Sequence, residues 1–321
     1  MAATLTLDRA EQSARQQLSA LVACIGGLIA LALGAWLAMP LSPVSQERYL
    51  AAAQDHVAML ADSKGEKGRI VLLGGSGTAF SISSEDLTRD LGRPVYNGGI
   101  QATIGLRNLI DLYRPHLDPQ NDTIVLLPEP EMLALDARYS QTWCDVLFLS
   151  KDVSGLVQRP RCVPQVMLRT WQDARHHASG ARDVDPVYRR SGFNARGDLT
   201  SHLGYDKPAP DFSEYTLPNA SPAKIETVVD YARQQLAAEG FTMIYIPAPM
   251  PRRACTASRE ALDAMTRRLE RLNTGERRAH ELTQSCLPHD MFFDGAGHLN
   301  REGRSIWTQR VRAALAQSLP S

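Results

Sequence analysis

Residues 70–77 read IVLLGGSG, an apolar run that ends in a serine held between glycines. A serine hydroxyl is a poor nucleophile until a base takes its proton. Histidine suits that task because its pKa lies near neutrality, and a carboxylate can fix its tautomer and stabilise the imidazolium that forms. The chain offers both in FFDGAGHLNREGR, residues 292–304, where Asp294 and His298 share one loop and one piece of backbone can position the pair. Ser76, His298 and Asp294 are therefore the candidate nucleophile, base and orienting acid. Glycines around Ser76 let a carbonyl approach closely and leave backbone N–H groups open. The N–H of Ser76, with one from Gly98 or Gly99, is expected to form an oxyanion hole, and the Asn97 amide is a further candidate donor. Losing one such donor typically costs about 2.7 to 4 kcal/mol of barrier.

Other constellations are weaker. A phosphate-binding reading of the same loop lacks GxxxxGK[ST] and GxGxxG, and no lysine follows the glycines. The nucleophile-elbow pattern GxSxG fits Gly74 to Thr78 only if its last position is relaxed. Glu129 and Glu131, in LLPEPE, could pass for paired glycosidase carboxylates, but residues two apart at a strand end point to opposite faces. Glu129 remains a candidate substrate contact. His202, in GDLTSHLGY, follows Asp198 by four residues and is a rival base, a substrate contact or a structural residue. His176 and His177 read as a solvated face and His289-Asp290 as a turn. No CxxC or Cys/His spacing supports a metal, and no motif implies a cofactor.

These residues need a scaffold that brings loops together, and the pattern of elements supplies one. Strand signals at 69–73, 94–97, 123–127 and 241–247 alternate with helical stretches at 85–91, 102–113, 221–239, 256–272 and 301–319. Ser83 and Asn300 stand at cap positions and Gly240 at a helix end. Short apolar strands alternating with helices predict an α/β fold with a doubly wound, mostly parallel sheet of the flavodoxin-like kind. Ligands of such sheets bind beyond the carboxyl ends of the strands, where all the candidates fall. The alternation lapses over 132–220, which is expected to be an irregular insertion over the sheet's edge, with a short helix around VPQVMLRTWQDARHH.

The N-terminus differs in kind. Residues 18–43 carry no charge. Crossing a bilayer takes about 20 apolar residues, whereas the apolar region of a removable signal runs to about 7 to 15. The expected layout is a cytoplasmic tail at 1–17, an uncleaved transmembrane anchor at 18–43, a helical stalk at 44–68 and an extracytoplasmic domain at 69–321. Arg9 and Arg15 before the anchor place the N-terminus in the cytoplasm by the positive-inside tendency. Four cysteines lie beyond the anchor, and an even number in an oxidising compartment suggests two disulfides. Three connectivities exist; Cys144–Cys162 with Cys255–Cys286 is favoured because each closes a local loop. With 35 basic and 35 acidic residues, the chain does not have the charge of a nucleic-acid binder.

A GxS loop after the first strand, an Asn-Gly-Gly loop after the second, and an Asp…His-Leu-Asn loop before the last helix together resemble the SGNH/GDSL hydrolase superfamily. With the single anchor and the DGAGHLNREGR ending, the chain resembles membrane-tethered SGNH-like proteins of systems that esterify envelope polymers, such as D-alanylation and alginate O-acetylation. The resemblance covers 69–131 and 241–318. It implies Ser76 as nucleophile, His298 as base, Asp294 as its orienter and Gly98 or Gly99 as oxyanion donor. Departures are Gly75 where the family has aspartate, three residues between Asp294 and His298 where it has two, and Glu129 near the place of an asparagine. The implied function is acyl transfer, most simply of acetyl, to an exported or envelope polysaccharide. Acetyl-CoA is absent outside the cell, so the resemblance also implies a multi-spanning membrane O-acyltransferase or a polysaccharide synthesis or export complex as partner. The alternatives are a polysaccharide O-acetyl esterase and a non-catalytic scaffold or binding subunit.

Overall fold

A computed structural model of the chain describes residues 2–38, 46–134, 140–150, 153–179, 185–205, 211–212, 215, 217, 221–274 and 284–319. The expected boundary between anchor and stalk, at 43/44, and the end of the insertion at 220 lie outside these residues. Helix α1 (Ala2–Ala38) contains Ala14–Gly34, a stretch of mean hydropathy 2.0 with none of it buried, long and apolar enough to cross a membrane.

Helix α2 (Ala52–Asp62) corrects the expected stalk. Its Ala52, Ala53, His56 and Leu60 are buried, and it packs on the main core as part of the domain. One cause is Arg69, the first residue after the predicted stalk. Its fully buried guanidinium grips Asp122 through two nitrogens, at 2.7 and 2.6 Å, and donates to the Leu60 carbonyl and Ser63 Oγ at the end of α2.

Strand β1 (Ile70–Gly74) is followed by α3 (Ser76–Ser81) and α4 (Ser84–Leu91), whose Ser83 cap accepts from the Asp86 N–H. Next come β2 (Val95–Asn97), α5 (Leu106–Tyr113) and β3 (Thr123–Leu127). The predicted helix over 102–113 is interrupted at Gly105, whose φ of 79° no helix accommodates. The insertion holds α6 (Gln141–Leu149) and α7 (Cys162–Ala178), the second being the helix expected there. The regular pattern returns with α8 (Pro222–Gln235), β4 (Thr242–Tyr245) and α9 (Arg301–Ser318). Gly240, left-handed at φ 94°, closes the turn after α8, and Asn300 caps α9 through the Gly303 N–H. The helix expected at 256–272 is split at Ser258.

All four strands run parallel in the order β2-β1-β3-β4. Both faces are covered: every residue of β1 and β3 is buried, and all but Thr123 are apolar. Val71, Leu73, Ile124, Leu126, Met243 and Tyr245 face α2, α5, α6 and α8. Ile70, Leu72, Val125, Leu127 and Ile244 face α4 and α9, where Trp307, Val311 and Leu315 are buried. A separate parallel pair, Met250–Pro251 with Cys286–Leu287, was not foreseen; two-residue strands carry no periodicity to read. Both favoured disulfides are present, Cys144–Cys162 and Cys255–Cys286. The first joins α6 to the start of α7 and so staples the insertion to itself.

Candidate active site

In this strand order the chain passes from β1 to one neighbour, β2, and then back across to β3 on the other side. The carboxyl ends of β1 and β3 flank the crevice that such a reversal leaves. Ser76 opens the helix after β1 and Glu129 follows β3, so both stand at that point.

Ser76 Oγ lies 2.8 Å from His298 Nε2, and His298 Nδ1 lies 2.8 Å from Asp294 Oδ1. Residues 222 positions apart in sequence thus share a hydrogen bond. With Nδ1–H held by the carboxylate, Nε2 is left as the acceptor for the serine hydroxyl, the tautomer a general base requires. The imidazole is 16% and the carboxylate 22% exposed, so the three groups are shielded yet open to a substrate from one side.

The histidine is fixed from several directions. Phe80, one turn after Ser76, stacks on the ring at a centroid distance of 4.0 Å and 9° between planes. Ser81 Oγ donates to the Gly297 carbonyl at 2.7 Å and accepts from the Leu299 N–H, pinning the loop on both sides of His298. The Phe293 N–H donates to the His298 carbonyl at 2.7 Å, closing the turn that carries Asp294. Within that turn a Cβ at Gly295 would come within 2.9 Å of His298 Nδ1, so only glycine leaves the Asp294–His298 contact intact. This accounts for the extra residue between Asp294 and His298: the intervening Gly-Ala-Gly forms the turn.

The glycines beside Ser76 have an equally specific cause. A Cβ at Gly77 would lie 3.1 Å from the Gly297 carbonyl, so α3 and the histidine loop meet backbone to backbone. A Cβ at Gly75 would strike Glu129 Oε1 and approach the Ala102 nitrogen to 2.7 Å. The loops after β1, β2 and β3 and the loop before α9 therefore converge around the Ser76 turn.

The expected oxyanion hole is corrected in part. The Gly98 N–H donates to the Leu72 carbonyl at 2.8 Å, extending the β1–β2 ladder. The Gly99 N–H donates to Asn97 Oδ1 at 2.8 Å. Asn97 is fully buried, and its amide nitrogen donates to the Thr78 carbonyl and Asp198 Oδ1, both at 3.0 Å. All three groups are spent on holding the β2 loop, so none is available to an oxyanion. The Ser76 N–H has no acceptor among the described residues. Neither has the Ala102 N–H, which the β2 loop brings against Gly75. Alanine at a loop tip gave no signal for this in the sequence.

His202 is removed as a base. It is 1% exposed, lies between Phe80 and Phe293, and its Nε2 is 3.1 Å from the Leu299 carbonyl. Burial, aided by the Arg304 charge, pushes its pKa down to about 3. It supports the wall behind Phe80 and cannot meet a substrate. Asp198 does not pair with it; that carboxylate accepts from Ser84, Asn97 and Asn194 and faces Arg304.

Tyr188, from the insertion, was not foreseen. Its hydroxyl is 2.9 Å from Asp294 Oδ2 and 3.1 Å from His298 Nδ1. More than 100 residues separate it from both partners, with no motif around it to signal a role. Glu129, expected as a substrate contact, is only 7% exposed and accepts from the Gly77 N–H at 2.9 Å. Glu131 accepts from the Tyr215 hydroxyl. Among the described residues no group of histidine, cysteine and acidic side chains is arranged to hold a metal. No protein-family model matches the chain, and neither a curated protein nor a solved structure matches it.

Proposed function

We propose that the chain is a membrane-anchored, extracytoplasmic serine acyltransferase that moves an acyl group, most simply acetyl, onto a hydroxyl of an exported or cell-envelope polysaccharide. The carrying observation is the continuous Ser76–His298–Asp294 hydrogen-bond chain, open on the serine side. The order of its blocks along the sequence resembles that of SGNH hydrolases, and the apolar N-terminal helix and the two disulfides fit an anchored protein outside the cytoplasm.

In this reading Ser76 Oγ attacks the acyl carbonyl while His298 Nε2 takes its proton. Collapse of the tetrahedral intermediate expels the donor's leaving group, which receives that proton. A sugar hydroxyl then attacks the acyl-enzyme, again deprotonated by His298, and frees Ser76. Asp294 holds the ring and stabilises the imidazolium at each stage. The membrane partner that would supply the acyl group follows from the resemblance alone.

The test uses the full chain in detergent micelles with p-nitrophenyl acetate as donor and envelope oligosaccharides as acceptors. Acetylated oligosaccharide, formed by the wild type and not by Ser76→Ala, is expected. Release of acetate at the same rate with and without acceptor would make the protein an esterase. A folded chain that neither turns over the donor nor reacts at Ser76 would be a scaffold. Alkaline phosphatase fused after residue 321 should be active if the domain is exported.

A further inference from the structure

The carboxyl of Glu129 lies against the Ser76 turn and makes no hydrogen bond to Ser76 Oγ or His298 among the described residues. It bonds the Gly77 N–H at 2.9 Å, and the Gly75 amide also faces it, so it is held by the residues on both sides of the nucleophile. A Cβ at Gly77 would lie 3.1 Å from its Cδ, and one at Gly297, next to the base, 3.4 Å from its Oε2. Only at Gly75 would a Cβ strike the carboxyl outright, while Gly77 and Gly297 lie in close contact with it beneath the Ser76 turn. Meanwhile the donors expected from Asn97, Gly98 and Gly99 are committed elsewhere. An oxyanion formed on Ser76 would find the Ser76 N–H, the Ala102 N–H beside Gly75, and the Glu129 carboxyl beneath the same turn.

Building on the acyl-transfer reading, we propose that Glu129 serves as a neutral carboxylic acid whose O–H donates a hydrogen bond to the tetrahedral oxyanion. Oε1 accepts from Gly77, which fixes the carboxyl plane and leaves Oε2 as the oxygen that carries the proton. As Ser76 Oγ bonds to the carbonyl carbon, the carbonyl π electrons move onto oxygen, and the Ser76 proton passes to His298. Glu129 keeps its proton throughout and shares it only as a hydrogen bond. Ionised, the same group would repel the oxyanion.

The surroundings favour the neutral form. Burial, joined by the nearby Glu131 carboxylate, lifts the Glu129 pKa to about 8 against the pull of the Gly77 and Gly75 amides. The groups facing it are Glu131 from its own segment, Tyr49 from the chain before α2 and Tyr215, which bonds Glu131; the loop touching it through Gly297 carries Asp294 and His298. Burial pushes the Tyr49 and Tyr215 hydroxyls upward, so neither ionises near pH 8. Activity that needs neutral Glu129 is present below its pKa and lost as the pH rises through about 8.

The experiment measures the rate at which a fluorophosphonate modifies Ser76 in the full chain from pH 6 to 9.5, with thermal melts as a control for folding. In the wild type the rate should fall about 10-fold per pH unit above the transition. Glu129→Gln, whose amide can accept from Gly77 and donate to the oxyanion at any pH, should react faster than Glu129→Ala at pH 7 and lose the alkaline fall. Glu129→Ala should slow about 100-fold or more, the usual effect of deleting an oxyanion donor. If Glu129→Ala does not fold, the presence of the alkaline fall in the wild type and its absence in Glu129→Gln decide the matter. Modification of Ser76 that is indifferent to Glu129, or an alkaline fall that persists in Glu129→Gln, overturns this inference alone. A folded wild type unreactive at Ser76 overturns it together with the acyl-transfer reading.

Discussion

The Tyr188 hydroxyl donates to Asp294 Oδ2 at 2.9 Å, the carboxylate oxygen not engaged by His298. The carboxylate is thereby held at both oxygens, and the insertion is tied to the loop that carries His298. The phenol oxygen also lies 3.1 Å from His298 Nδ1, so it can share that N–H.

Tyr188→Phe removes this brace while keeping the ring, which packs near Phe80 and Tyr49. A hydrogen bond to a charged group is worth roughly 1.5–3 kcal/mol, so Ser76 acylation should slow about 10-fold or more and the melting temperature should fall by several degrees. The 15N shifts of the His298 ring should move toward a mixed tautomer. Unchanged rate and unchanged shifts would show that Asp294 alone orients the imidazole.

Arg69 and Asp122 form a fully buried pair at the foot of β1 and β3, where α2 is attached. Asp122→Ala leaves the guanidinium buried without its counter-charge and should lower unfolding stability by about 3–5 kcal/mol. Arg69→Met with Asp122→Leu should recover most of that, because a well-packed apolar pair avoids desolvating both ions. Urea unfolding measures both; a single variant as stable as the wild type would contradict the assignment.

Acid should destabilise the domain through two buried histidines. Burial lowers the pKa of His56 to about 4 and, with Arg304, that of His202 to about 3. An unfolded histidine titrates near 6.5, so protons bind the unfolded chain first as pH falls. The stability each neutral ring contributes is complete above about pH 6.5 and is lost as pH drops through the folded pKa values. His202→Gln should show a shallower loss of stability between pH 6.5 and 4 than the wild type. Parallel curves would mean that His202 does not drive the loss.

The strands, and the three residues that meet as Ser76–His298–Asp294, were legible because their causes are local or chemically distinctive. IVLLG and TIVLL are apolar but for Thr123, so they must be covered on both faces, and a glycine-flanked serine with an Asp-x-x-x-His loop just before a capping asparagine narrows the chemistry. The oxyanion donors were not legible. Whether an N–H points at a substrate or back into the sheet depends on the register of β1 on β2 and on the Asn97 side chain, neither of which residue type reveals. Tyr188 was hidden for a related reason: a tyrosine in an aperiodic segment announces no partner until the chain is folded over the site. The supposed stalk was misread because α2 has little apolar periodicity of its own, and a buried Arg69 looks like a surface residue in sequence.

The most direct test of the account is the acyl-enzyme itself. The full chain is mixed with p-nitrophenyl acetate, quenched in acid within the first turnover, digested, and the Ser76 peptide weighed. One acetyl group on Ser76 is expected in the wild type, absent in Ser76→Ala and strongly reduced in His298→Ala. Acetyl found at other residues but not on Ser76, in protein shown by its melt to be folded, would contradict nucleophilic catalysis by this serine.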